Sequence, residues 1–181
     1  RGLSCQFLDF RYRTFTMFLA LTGCRYSEAA NLKVRDINIS AGTARFVDTK
    51  NDETRTVYFI DPLKSNLQRL IEGMKPNDNV FRNSQGKRIY AQDYRDDLIK
   101  RTQKAGVTKR TFPHNFRHSY ITHMIEEGLQ AEVIAKLTGH RDVRVIYDVY
   151  MHLADKTIRN AAMRHPLVRR NVDPHEIIHT I

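Results

Sequence analysis

The chain has 181 residues, 41% of them hydrophobic, with 30 lysines and arginines against 20 acids and a formal charge of +10 at pH 7. That length suits one domain with a real core, and the excess positive charge points to a polyanion, nucleic acid first, because clustered cations release counterions from a phosphate backbone. Cys5 and Cys24 lack the spacing of a zinc ribbon or a disulfide framework and fit a reducing cytoplasm, and the longest apolar run, residues 15–21 with Thr16 inside it, is too short to cross a bilayer.

The chain opens Arg1-Gly2-Leu3-Ser4, without an initiator methionine or a signal-peptide pattern, and reads as a piece of something longer. Leu8, Tyr12, Phe15, Leu19 and Ala20 recur at helical spacing until Gly23 stops the helix. A short helix follows over 27–32 with Ser27 as its cap. Residues 44–49 and 55–60 are β-branched and aromatic and predict a hairpin with Lys50 in its polar turn. Asp61-Pro62 starts a helix to about residue 72, 73–79 is loop, and 80–81 reads as a short strand. After a turn at 84–87, helical patterns cover 91–105, 115–127, 130–138, 143–153 and 155–164. The tail from Pro166 carries Arg169-Arg170 and ends in an amphipathic segment, 174–181, with Ile177, Ile178 and Ile181. The fold class expected is mainly α with a small antiparallel β-sheet.

Six residues have the chemistry to cut a phosphodiester without a metal: Arg25, Lys50, His114, Arg117, His140 and Tyr150. Charge gathers on the non-bridging oxygens during attack, and preorganised cationic donors stabilise it there. Arginine does so bidentately. A tyrosine must lose its proton to attack, and histidine or lysine shuttles protons to and from the sugar oxygens. Each residue also has an ordinary reading. Arg25 pairs with Glu28 across a first helical turn, His114 is a structural histidine, and Tyr147, three residues before Tyr150 on the same helix, is an equal candidate by spacing. His114 and His118 stand four apart like helical metal ligands, yet Asn115 occupies the place of a metalloprotease glutamate and no acid completes a set, so no metal is expected and His118 is expected to pack inside.

The order Thr22-Gly23-Cys24-Arg25-Tyr26-Ser27-Glu28, then His114-Asn115-Phe116-Arg117-His118-Ser119-Tyr120, then Gly139-His140 and Tyr150-Met151-His152, strongly resembles the tyrosine recombinases, or phage integrase family, over nearly the whole chain. The resemblance implies a catalytic domain over residues 1–165, with a tail, 166–181, that docks on a neighbouring protomer. It implies that Arg25 and Arg117 clamp the scissile phosphate, that His114 transfers a proton, that His140 hydrogen-bonds a phosphate oxygen, that Lys50 protonates the leaving 5′ oxygen, and that Tyr150 is the nucleophile. Lys50 is the least defined of these, since the hairpin also offers Arg55. Thr138 stands where leucine is usual, and Val145-Ile146 where a threonine pair is frequent.

The same resemblance implies a site-specific DNA recombinase that needs no cofactor and acts on double-stranded DNA in the cytoplasm. It would be a homotetramer on two DNA sites and a monomer when free, with accessory DNA-bending proteins as further partners. The helical DNA-binding domain that family members carry ahead of the catalytic one is expected to be missing from this chain. Lys87, Arg88, Lys109, Arg110, Arg141 and Arg144 are candidates for positioning contacts to DNA phosphates. Two rivals share part of this reading. A type IB topoisomerase would use the same chemistry to relax supercoils, which the integrase-like motifs disfavour, and a DNA-binding relic would lack the intact Tyr150 and arginine pair.

Overall fold

The computed structural model describes residues 10–48, 53–83, 85–108 and 111–163, which fall into two compact units, 1–141 and 142–181. The first contains α1 (Phe10–Thr22), α2 (Tyr26–Asn31), a 3-10 turn (Val34–Asp36), β1 (Ile37–Asn38), β2 (Thr43–Asp48), β3 (Glu53–Tyr58), α3 (Leu63–Ile71), α4 (Ala91–Lys104), α5 (Pro113–Glu126) and α6 (Ala131–Thr138). The second contains α7 (Arg144–Met163). Helix predominates, as the periodicity predicts, and among the described residues no helix is long and apolar enough to cross a membrane.

The core of the first unit is built around α1. Phe15 and Phe18 are fully buried, and the Phe15 ring meets Tyr26, Phe81 and Tyr94 edge-on at centroid distances of 5.4, 4.9 and 4.9 Å. Such edge-to-face pairs add to the burial of each ring. Helix α1 packs against α3 and α5, and α6 lies between α5 and β3. The three strands form an antiparallel sheet in the order β1-β2-β3. Ala44 pairs with Val57 and Phe46 with Arg55, so Arg55 shares the inner face with three buried apolar residues. Residues two apart on a strand point the same way.

Several local expectations are corrected. The paired part of the hairpin covers 43–48 and 53–58, ahead of the expected range at both strands, and its turn, with Lys50, lies outside the described residues. Strand β1 is two residues long, too short to leave a pattern. Val80 and Phe81 form no strand; they are buried by the core, and the Val80 amide donates to the Leu32 carbonyl at 2.9 Å. Ser27 does not cap α2. The helix begins at Tyr26, and the Glu28 carboxylate accepts the Arg25 amide at 2.6 Å. Helix α5 starts at Pro113, whose missing N–H costs nothing there. The two helices expected over 143–153 and 155–164 are the single helix α7, because neither glycine nor proline interrupts the stretch.

Gly23 closes α1 with φ of +60°, and a Cβ there would collide with the Tyr120 ring on α5. Gly23→Ala therefore combines a left-handed backbone with overpacking, and urea denaturation should show a loss of about 2 kcal/mol or more. An unchanged midpoint would mean that α1 and α5 separate without cost.

Candidate active site

Three helix ends build the site within the first unit. Arg25 sits in extended conformation at the N-cap of α2, directly after the turn at Gly23. Its Nη1 pairs with Glu28 Oε1 at 3.3 Å, the ordinary contact that its sequence position suggested, while Nη2 donates to the Gly139 carbonyl at 2.7 Å. Arg117 lies in the buried stripe of α5 with Ile121 and Ile125 and is 3% exposed. Its Nη1 donates to the carbonyls of Gly23 at 2.8 Å and Thr138 at 2.6 Å. Its Nη2 lies 2.9 Å from Nε2 and 3.2 Å from Nδ1 of His140.

Gly139 ends α6 in the left-handed region, φ +72°, which turns His140 back toward Arg117. A Cβ on Gly139 would fall 2.5 Å from Arg55 Nε. Arg55 reaches this corner from β3, its guanidinium lying 4.9 Å over the Phe46 ring; Nη1 donates to the Leu137 carbonyl at 2.7 Å and Nη2 pairs with Glu28 at 2.5 Å. Glu28 thus holds two arginines at once.

The electrostatics reflect this crowding. Burial, then the neighbouring Arg25 and Arg55, pushes the Arg117 guanidinium down to about 10, against the pull of Glu28. Burial, then Arg117, Arg25, Arg55 and His114, pushes His140 down to about 4, so its ring is neutral at physiological pH. The Cys24 thiol is pushed up to about 12, chiefly by burial, and is unreactive there.

Of the six residues singled out by chemistry, Arg25, Arg117 and His140 meet at the C-terminal end of α6: Arg25 donates to the Gly139 carbonyl, Arg117 donates to the Thr138 carbonyl, and the His140 ring lies against Arg117. His114 lies in the first turn of α5, exposed, and its charge acts on His140. Tyr150 and Tyr147 lie on α7, in the second unit, with ring centroids 6.3 Å apart. Lys50 lies outside the described residues. The expectation that His118 packs inside is wrong: it is exposed, because the inward stripe of α5 runs through Arg117 and the next residue is turned about 100° from it. Among the described residues no group of three or more His, Cys, Asp or Glu is placed to hold a metal. Lys87, Arg88, Arg141 and Arg144 are exposed, Arg144 paired with Asp142 at 2.8 Å, and Lys109 and Arg110 lie outside the described residues. Sequence reasoning underrated Arg55, Glu28 and Thr138. A signal for Arg55 was available, since an arginine in step with the apolar Val57 faces inward.

A model of the phage integrase family matches residues 4–157. The chain belongs to the phage integrase family. Among its relatives, tyrosine recombinase XerA of Saccharolobus solfataricus is 32% identical over 148 residues, covering 79% of this chain and 46% of that protein. A crystal structure of XerA recombinase superposes with a TM-score of 0.74 at 26% identity, covering 87% of this chain and 57% of that one. The XerH site-specific recombinase, in a post-cleavage complex with a palindromic difH substrate, shares the fold with a TM-score of 0.71 at 22% identity, covering 86% of this chain and 46% of that one. The fold is that of tyrosine recombinase catalytic domains. The chain spans about half the length of the curated relatives it matches.

The depressed His140 has a measurable consequence. The folded ring takes a proton only near pH 4, whereas an unfolded histidine does so near ~6.5. Between those values the unfolded chain binds the extra proton, so the contribution of this group to stability rises with pH and is lost as the solution is acidified. Urea denaturation over that range should give a steeper pH dependence for the parent chain than for His140→Gln. Parallel curves would mean that His140 titrates like a solvated histidine.

Proposed function

We propose that this chain is the catalytic core of a site-specific DNA recombinase. Its reaction cuts and rejoins strands through a 3′-phosphotyrosyl intermediate. The observation that carries this reading is the meeting of Arg25, Arg117 and His140 at the C-terminal end of α6, with Arg55 beside them and Glu28 bound to two of the three arginines. Such a cluster is built to receive an anion, and a phosphate oxygen fits the arginine forks. The XerH relative is seen on DNA after cleavage, and the +10 charge suits duplex DNA as partner.

In this mechanism Arg25 and Arg117 clamp the scissile phosphate and His140 contacts one of its oxygens. The Tyr150 oxygen attacks phosphorus, its proton passing by way of His114, and the phosphorus bond to the 5′ oxygen breaks as Lys50 delivers a proton to that oxygen. The freed 5′ hydroxyl of a partner strand reverses the sequence, so bond energy is conserved and no nucleotide cofactor is consumed. One domain through residue 165 performs this chemistry in the cytoplasm, and accessory DNA-bending proteins assist assembly. The chain is a monomer when free and a homotetramer on two DNA sites, with the tail, 166–181, docking on the neighbouring protomer.

Three experiments test this reading. A pool of nicked duplexes of randomised sequence, incubated with the full-length enzyme, should yield a covalent protein–DNA adduct that Tyr150→Phe abolishes and Tyr147→Phe retains; the reverse pattern would move the nucleophile to Tyr147. Arg25→Ala, at an exposed side chain, should slow single-turnover cleavage of the selected site by ~10²-fold or more while changing DNA affinity far less. Equal losses in rate and affinity would make Arg25 an anchor only. Removing the residues after Asp173 should leave first-strand cleavage measurable and reduce recombinant yield, and an unchanged yield would sink the tail's role between protomers.

A further inference from the structure

Thr138 touches both halves of the arginine and histidine pair. It is the last residue of α6 and fully buried. Its carbonyl holds Arg117 Nη1 at 2.6 Å, and its hydroxyl lies 2.7 Å from His140 Nδ1. The same hydroxyl lies 2.6 Å from the Ile134 carbonyl one turn back, a contact that requires a proton between the two oxygens. A hydroxyl has one proton to give. With that proton on the Ile134 carbonyl, the threonine oxygen can only accept at His140, so Nδ1 carries the ring proton.

Arg117 Nη2 lies 2.9 Å from Nε2 and 3.2 Å from Nδ1, too close to both nitrogens to lie on either in-plane lone-pair axis, so the tautomer is set on the Thr138 side. Donation there runs one way, from His140 Nδ1 to Thr138 and from Thr138 to the Ile134 carbonyl. The charged and titratable groups facing the ring are Arg117 and His114 from α5, Arg25 from the turn before α2, and Arg55 from β3, and all four disfavour a second proton on it. The ring is neutral, with its lone pair on Nε2.

We propose that Thr138 is a positioning residue that holds His140 as the Nδ1–H tautomer, so that His140 engages a phosphate oxygen only after Nε2 takes up a proton from solvent. This rests on the reading of Arg117 and His140 as ligands of the scissile phosphate. A phosphate oxygen accepts and cannot pair with a bare nitrogen lone pair. Its negative charge offsets the arginines, and the added proton then bridges Nε2 and oxygen while Nδ1 stays on Thr138. The leucine usual at this position has no hydroxyl with which to select a tautomer.

The test is nitrogen-15 NMR of the His140 ring in the full chain, assigned with His140→Gln. The free parent chain and Thr138→Ser should show one protonated nitrogen, Nδ1, whereas Thr138→Val should lose that preference and populate Nε2–H. A parent ring protonated at Nε2 overturns the proposal, as does a Thr138→Val ring unchanged from the parent. Titration with dimethyl phosphate, a diester that has no proton to donate near pH ~6.5, should then give a doubly protonated ring in the parent chain. A ring that answers phosphate by moving its single proton to Nε2 overturns the proton uptake. A ring that does not answer phosphate at all overturns both the uptake and the phosphate-site reading, while the tautomer of the free chain stands or falls by the first measurement.

Discussion

The Arg117 guanidinium is buried, and the bonds that hold it run to main-chain carbonyls: Gly23, just past the end of α1, and Thr138, the last residue of α6. Both are helix C-termini, where unsatisfied carbonyls carry the negative end of the helix dipole. Two partial charges and the nearby Glu28 thus compensate a cation that would otherwise be costly to bury. The same contacts fix where α5, α1 and α6 meet. Fold and site consequently share one interaction.

A cation held by dipoles keeps an attraction for a full negative charge. Had a carboxylate been bonded to Arg117, an incoming anion would have to displace it. The acid in the cluster, Glu28, is instead occupied by Arg25 and Arg55. The Arg25 side chain is 47% exposed, so its ion pair is of the weakly stabilising kind that a ligand can replace. Arg55 is different: stacked on Phe46 and bound to the Leu137 carbonyl, it is part of the frame. The three arginines therefore differ: Arg55 is locked into the frame, Arg117 is buried without a carboxylate bonded to it, and Arg25 makes an exposed ion pair.

Periodicity made most helices legible, since each buries a stripe that the sequence carries openly, as with Phe15 and Leu19 on α1. It failed where apolar residues are buried without regular structure, as at Val80 and Phe81, and where a helix continues through a stretch that contains no breaker, as in α7. For the site, residue type and order were enough to single out Arg25, Arg117 and His140. They did not reveal Glu28 as the shared acid or Thr138 as the partner of His140, and they left out of view the carbonyls of Gly23, Thr138 and Gly139 that hold Arg117 and Arg25. Carbonyls are the same in every residue and leave no mark on a sequence.

The turn at Gly23 has a consequence for how this chain tolerates change in length. Between the end of α1 and Arg25, and between the end of α6 and His140, the backbone is drawn taut by the same guanidinium, so an inserted or deleted residue in either turn would pull a carbonyl off Arg117. Between α3 and α4 the chain is anchored only in its middle, where Val80 and Phe81 enter the core, while the turns at Gly73 and Gly86 stand clear of it and a side chain there would meet open space. Length variation among natural descendants of this sequence should therefore collect at the turns around Gly73 and Gly86, and the two short turns beside Arg117 should keep their length even as their neighbours drift.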